Sequence, residues 1–92
     1  IKIDVEGFEL EVLQGLSQTI NALSFEFTTI QRAVAYDCLS QLEKLGSYRF
    51  NVSLGENHRL EFSKWILADA MTAYLAALPM SANSGDVFAQ LV

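Results

Sequence analysis

The sequence predicts an α/β fold in which a mainly parallel sheet is covered by helices. Short apolar and β-branched runs alternate with longer stretches in which apolar residues recur every three or four positions. Strands and helices that alternate at this spacing favour parallel strand pairing. Because 51% of the residues are hydrophobic and 18% are charged, the composition is that of a folded chain. A length of 92 residues corresponds to one domain or less.

The N-terminal stretch predicts a strand followed by a helix. Ile1–Val5 is a short, mostly β-branched apolar run that ends at a Glu-Gly pair, which is typical of a buried parallel strand. In Phe8–Leu16 the apolar residues recur at helical spacing, and Gly15 lies near the end. We therefore expect the first strand–helix unit within these sixteen residues.

A second strand–helix unit follows. Ala22–Thr28 alternates so that Phe25 and Phe27 share one face of a strand while Glu26 lies on the other. The stretch Ile30–Leu45 carries a single apolar stripe and is followed by a glycine, the residue that commonly ends a helix.

The rest of the chain predicts a hairpin, a helix and a last strand. Tyr48–Leu54 is expected as the third strand, and after a polar turn Arg59–Phe62 is expected to return beside it as a hairpin. The helix Leu67–Leu78 ends where Pro79 prevents its continuation. After a loop of small residues, Asp86–Leu91 is the last predicted strand.

Charge, cysteine content and hydropathy exclude several classes of protein. Six basic against eleven acidic residues give a net charge of −5, opposite to that of proteins that bind the nucleic-acid backbone. A single cysteine, Cys38, excludes an internal disulfide and a zinc-type cluster. The longest apolar stretch, Trp65–Met80, is interrupted and too short to cross a bilayer. With no signal-peptide core either, we expect a cytoplasmic protein in a reducing compartment.

Three carboxylates are candidates for chemistry. Asp4 and Glu6 follow the first predicted strand, and open parallel sheets bind ligands beyond the carboxyl ends of their strands. Spacing alone favours the simpler alternative, a polar turn whose acids stabilise a helix N-terminus. Glu26 lies between two phenylalanines in a strand expected to be buried, where a carboxylate requires a partner or a function.

The first sixteen residues, IKIDVEGFELEVLQGL, closely resemble the signature K-I-D-V-E-G-x-E-x-x-V-L-x-G of the FkbM-family methyltransferases. These enzymes depend on S-adenosylmethionine and have a Rossmann-like sheet, whose fourth strand and following helix carry the signature. Further on, Ser24–Phe27 resembles the fifth strand, Leu45–Phe50 the sixth, and Ser84–Ala89 the seventh, antiparallel strand. The resemblance implies part of a class I methyltransferase sheet, mainly parallel with an antiparallel last strand.

The cofactor-binding part of the family pattern is missing. The family holds S-adenosylmethionine mainly through a Gly-rich loop after the first strand and an acidic residue at the end of the second. The five glycines here form no G-x-G cluster. The resemblance therefore implies that residues 1–92 are the C-terminal half of the domain, with the cofactor's principal site upstream of Ile1.

The same resemblance implies an activity and a catalytic site. It puts Asp4 and Glu6 near the point of methyl transfer. Glu26, whose position between two phenylalanines was noted above, is a third catalytic candidate. A carboxylate there would take the proton of an acceptor hydroxyl or hold a metal that acidifies it, and metal use stays open. The expected reaction is O-methylation of a sugar or other small metabolite. Another Rossmann-like enzyme and a non-catalytic α/β association module remain alternatives.

Two further expectations concern the sheet. Ile1–Asp4 should pair parallel with Leu23–Thr28, and Asp86–Gln90 should run antiparallel to its neighbours. An exposed edge at the first strand would template pairing with another chain, and uncovered helix faces would add apolar surface. The sequence therefore predicts a homo-oligomer formed through this edge.

Overall fold

A computed structural model describes residues 2–3, 21–55 and 59–92 of the chain. The predicted helix at 8–16 lies outside the described residues. The elements in chain order are β1 (Lys2–Ile3), β2 (Ala22–Thr28), α1 (Arg32–Leu45), β3 (Tyr48–Leu54), α2 (Ala68–Ala77), a 3₁₀ turn (Met80–Ala82) and β4 (Ser84–Leu91).

The four strands of the described residues form one sheet in the order β1-β2-β4-β3. β1 pairs parallel with β2, with Ile3 opposite Phe25, as expected from the sequence. β4 runs antiparallel between β2 and β3 and forms both long ladders. The prediction of a mainly parallel sheet is therefore not confirmed, because the strand inserted between β2 and β3 runs in the opposite direction to both.

The bounds of most elements lie close to those predicted. β2 and β3 begin and end at the predicted residues. α1 begins at Arg32 rather than at Ile30, because the Gln31 N–H donates back to the Thr28 carbonyl at 3.3 Å and forms a turn. β4 begins two residues early, at Ser84, where its backbone already pairs with β2.

The predicted hairpin strand Arg59–Phe62 is wrong. This segment forms no strand and touches β3 through separate backbone bonds, among them Glu61 N–H to the Val52 carbonyl at 2.8 Å. Hydrogen bonds from the Asn51 side chain replace the backbone hydrogen bonds of a regular strand ladder. Its Nδ2 donates to the Phe62 carbonyl at 2.8 Å, and its Oδ1 accepts from the Phe62 N–H at 3.1 Å. A side chain that bonds neighbouring backbone in this way competes with strand pairing.

The core lies between one face of the sheet and the two helices. Cys38 is fully buried on α1. The opposite face of the sheet carries most of the strands' polar residues. Within residues 21–55 and 59–92, the buried apolar residues are Leu23, Phe25, Phe27, Ala35, Cys38, Leu39, Leu42, Tyr48, Phe50, Val52, Ala68, Met71, Leu75, Val87 and Ala89.

Gly85 allows the close packing of β4 between its neighbours. A Cβ built on Gly85 would collide with the main-chain oxygen of Ser53 and come within 2.8 Å of the Phe27 ring. The backbone oxygen cannot move aside without disturbing the ladder between β3 and β4, so this position requires glycine.

Gly85→Ala is expected to lower the free energy of unfolding by about 1–3 kcal/mol, the usual cost of forcing extra atoms into a packed site. Urea unfolding measures the change. Gly55→Asn is the control, because a Cβ at Gly55 meets nothing within 4 Å and asparagine tolerates a φ of +57°. Equal, small losses for both variants would show that the collision at Gly85 is relieved without cost.

Candidate functional site

The carboxyl ends of β1, β2 and β3 lie at the same end of the sheet, because these strands run in the same direction. We call this end of the sheet the carboxyl edge, as distinct from the open side of the outer strand β1. Its described residues are Thr28–Gln31 after β2, Leu54–Gly55 at the end of β3, and Met80–Ser84 leading into β4. Open α/β sheets bind their ligands beyond this end of the strands.

Hydrogen bonds from Thr29 tie the loop after β2 to the chain that enters β4. The Thr29 N–H donates to the Asn83 carbonyl at 2.9 Å, and its Oγ1 donates to the Met80 carbonyl at 3.1 Å. Thr29 is buried. On the other side of β4, the Gly55 N–H donates to the Ser84 carbonyl at 2.9 Å. Backbone contacts therefore fix the geometry of this edge.

Arg32 fixes the end of α2 against the start of α1. Its Nη1 donates to the Ala76 carbonyl at 3.1 Å, and its Nη2 donates to the Leu78 carbonyl. A cation that bonds the last carbonyls of a helix also interacts favourably with the helix dipole. Nη2 lies 3.8 Å from Sδ of Met80, so this contact reaches the carboxyl edge.

Of the three predicted catalytic residues, the structure describes one. Asp4 and Glu6 lie outside the described residues, and their roles stay predictions. Ile3, the residue before Asp4, is paired with Phe25, the residue before Glu26.

Glu26 lies on the sheet face away from the helices, opposite Asp86 of β4. Its side chain is exposed, so the expectation of a buried carboxylate is wrong. Phe25 and Phe27 are buried on the face of the sheet that packs against the helices. Because side chains alternate along a strand, Glu26 lies on the opposite face. Glu26 and Asp86 each take part in interactions of their own.

A cavity of about 380 Å³ lies on the same face as Glu26. Two aromatic residues, Trp65 and Phe88, line this cavity, and alternation in β4 places Phe88 on this face. Because Ser24 and Phe88 lie in the middle of their strands, the cavity is separate from the carboxyl edge. It is lined by Ala22, Leu23, Ser24, Trp65, Phe88, Ala89 and Gln90.

Asn51 is fully buried and holds the segment that carries Trp65. Besides its two bonds to Phe62, its Oδ1 accepts from the Val52 N–H at 2.9 Å. No local sequence pattern indicates this role, since Asn51 and Phe62 are eleven residues apart.

Asn51→Ala is expected to destabilise the fold by about 2–4 kcal/mol, because it leaves several buried backbone groups without partners at about 1–3 kcal/mol each. Hydrogen exchange should also accelerate at the Phe62 amide. Asn21→Ala changes an exposed asparagine and serves as the control. Unchanged exchange at Phe62 would contradict the role of Asn51 in holding this segment.

Tyr74 of α2 anchors the same segment from the helix side. Its hydroxyl donates to Oε1 of Glu61 at 3.2 Å, and its ring packs edge-on against Phe62 with centroids 5.0 Å apart. Burial, and then the charge and the hydrogen bond of Glu61, raise the pKa of the Tyr74 hydroxyl.

The raised pKa of Tyr74 predicts a loss of stability at alkaline pH. A folded-state pKa above the unfolded value stabilises the fold below about pH 10, and this contribution is lost as pH rises through the folded pKa. Tyr74→Phe should therefore show a smaller alkaline decline in the free energy of unfolding. Glu61→Gln should show an intermediate decline. Identical pH profiles for wild type and Tyr74→Phe would contradict this assignment.

The described residues contain neither a group of metal ligands nor a membrane-spanning helix. Within residues 21–55 and 59–92, no three histidine, cysteine or carboxylate side chains are grouped so that they could share a metal ion. No helix in the described part of the chain has the length and hydrophobicity needed to cross a membrane.

The residues described here do not fit the family's cofactor cradle. A Gly-rich loop brings several backbone N–H groups to the ligand, but the described glycines lie far apart in the chain. Gly46 follows α1, Gly55 follows β3, and Gly85 is packed inside the sheet. We therefore assign no S-adenosylmethionine contact to them.

Comparison with known protein families supports the resemblance seen in the N-terminal signature. Residues 1–78 match the methyltransferase FkbM domain. Because the match covers most of the chain, the chain belongs to the FkbM methyltransferase family, and the predicted family is confirmed. No curated protein and no solved structure gives a significant match.

Proposed function

We propose that residues 1–92 form the C-terminal half of a Rossmann-like, S-adenosylmethionine-dependent methyltransferase domain. The match over residues 1–78 carries this proposal. Family membership indicates a methyltransferase, and the resemblance implies S-adenosylmethionine as the methyl donor. We further propose that the acceptor is a hydroxyl group of a sugar or other small metabolite.

The strand directions support a Rossmann-like sheet. β1, β2 and β3 run in the same direction, and α1 forms the crossover from β2 to β3. A strand–helix–strand crossover of this kind is the building unit of such sheets. The reversed β4 agrees with the antiparallel last strand implied by the family resemblance.

The chain's proposed contribution is to bind the acceptor and take its proton. We propose Asp4 as the general base at the carboxyl edge, with Glu6 and Glu26 as further candidates. A carboxylate that accepts the hydroxyl proton makes the oxygen a better nucleophile. The exposed carboxylate of Glu26 is accessible to a ligand, which supports its inclusion. Holding a metal ion is the alternative role for these carboxylates.

We propose that the cofactor's cradle is supplied by sequence upstream of Ile1. Calorimetric titration with S-adenosylmethionine tests this proposal on two proteins. One is the 92-residue chain, and the other extends it at the N-terminus with a strand, a Gly-rich loop and a following acidic residue. We expect saturable binding only by the longer protein. Circular dichroism must show that the 92-residue chain is folded in the same buffer. Micromolar binding by the folded 92-residue chain would contradict the proposal.

The second candidate function is that of a non-catalytic association module, and the open side of β1 favours it. Within the described residues, β1 pairs on one side only, and an open strand edge can pair with a second copy. We propose a homo-oligomer formed through this edge. Light scattering at high protein concentration tests it, and a monomer of 10.2 kDa would contradict it.

Since Cys38 is the single cysteine, we propose a reducing, cytoplasmic location.

A further inference from the structure

The outer side of β3 is covered by another part of the same chain. Among the described strands, β3 pairs only with β4, and residues 61–66 lie along its other side, joined to it by the bridge between Phe50 and Ile66. We call residues 61–66 the strap. An outer strand without such a cover presents a row of unpaired backbone groups, which is a template for pairing with another chain.

The backbone groups of Phe50 and Val52 on this outer side all have hydrogen-bond partners. The Phe50 N–H donates to the Ile66 carbonyl at 2.7 Å, and the Phe50 carbonyl accepts from the Ile66 N–H at 2.8 Å. The Val52 carbonyl accepts from the Glu61 N–H at 2.8 Å, and the Val52 N–H donates to Oδ1 of Asn51 at 2.9 Å. The strap and one side chain therefore occupy the positions at which a second strand would bond.

The strap covers β3 without becoming an edge strand itself. The buried side chain of Asn51 bonds both backbone groups of Phe62, so the strap is held without a regular ladder. It forms no strand, and Ser63 and Lys64 at its middle are exposed. An irregular segment that carries a lysine offers a poor template for further strand pairing.

β3 has the composition of a strand that pairs readily with copies of itself. Its seven residues, YRFNVSL, include three with high β propensity, no glycine or proline, and one charged residue, Arg49. Short segments of this kind associate through their backbones when they are exposed. The net charge of −5 repels copies of the chain in general, but β3 carries no acidic residue.

We infer that the strap blocks the addition of a second copy of this chain to β3, and that release of the strap lets the β3 strands of two copies pair. Two opened copies present the same edge, so they pair antiparallel about a twofold axis. This edge is on the opposite side of the sheet from the open side of β1. The role of the strap is independent of methyl transfer.

The test uses a fluorescently labelled peptide with the β3 sequence YRFNVSL and variants that release the strap. Ile66→Pro removes the N–H that bonds the Phe50 carbonyl, and Glu61→Pro releases the other end of the strap in the same way. Both variants should bind the peptide at least about tenfold more tightly than wild type, which two added hydrogen bonds are sufficient to supply. Fluorescence anisotropy measures the affinities, and light scattering should show association of these variants at lower protein concentration.

Ile66→Val is the matched control, because it keeps the backbone N–H and a β-branched side chain and should bind the peptide as wild type does. A peptide with N-methylated backbone amides should not bind any of these proteins. Equal affinity of wild type and a folded proline variant would overturn the inference, because binding would then not require release of the strap.

Wild type provides a measurement that does not depend on the folding of a variant. Urea below the unfolding midpoint should open the strap and accelerate hydrogen exchange at the Phe50 amide, and the β3 peptide should slow this exchange again. Protection of the Phe50 amide by the peptide, but not by its N-methylated form, supports pairing at β3. Exchange that the peptide leaves unchanged would overturn the inference.

Discussion

Asp4→Asn is expected to lower the turnover of methyl transfer by about a hundredfold or more in the protein that contains the complete domain. The substitution keeps the shape of the side chain and removes the group that would accept the hydroxyl proton, and loss of a general base has effects of this size. Because the cofactor's cradle is proposed to lie upstream of Ile1, the affinity for S-adenosylmethionine should change much less. Single-turnover kinetics and calorimetry measure the two quantities separately.

Two further variants are needed to interpret the effect of Asp4→Asn on turnover. Asp37→Asn changes an exposed carboxylate in the middle of α1 and should leave turnover unchanged. Glu26→Gln shows whether the exposed carboxylate of β2 belongs to the same site, since a structural role would lower the melting temperature without a selective effect on rate. If Asp4 only stabilises a helix end, Asp4→Asn should keep near-normal turnover and lose at most about 1 kcal/mol of stability.

Phe25→Ala is expected to have the largest effect on stability, a loss of about 3–5 kcal/mol. Phe25 is fully buried at the centre of β2, where the strand is flanked by both β1 and β4. Removing its ring leaves a cavity beneath α1 that the surrounding strands cannot close. Because small domains are stable by only about 5–15 kcal/mol, the variant should unfold at a much lower urea concentration.

Ile30→Ala is the control for Phe25→Ala. It removes a large apolar side chain that is mostly exposed, so the free energy of unfolding should change by less than about 0.5 kcal/mol. Similar losses for the two variants would mean that Phe25 is not the packed centre described here.

Local sequence patterns were sufficient to predict the strands in which apolar and polar residues alternate. β2 and β3 coincide with the predicted strands, because alternating apolar residues define both a period and a buried face. The position of β4 between β2 and β3 could not be read in the same way. Strand neighbours are set by long-range packing, and no local period reports them.

The same limit explains the errors at the candidate site. Alternation correctly separated Glu26 from Phe25 and Phe27, but it could not reveal whether the opposite face of the sheet is covered. The role of Asn51 was missed because a side chain that replaces a strand ladder leaves no periodic signal.

The most direct test of the account is the transfer of a labelled methyl group from S-adenosylmethionine to a hydroxyl acceptor, catalysed by the protein that carries this chain and a complete cofactor site. A panel of alkyl glycosides and small polyols supplies the acceptors, with the corresponding amines as the control. We predict that S-adenosylhomocysteine and a methyl ether form in equal amounts and that Asp4→Asn suppresses both. Tight binding of S-adenosylmethionine with no methyl ether formed from any acceptor, or transfer to the amines alone, would contradict the proposed hydroxyl methyltransferase.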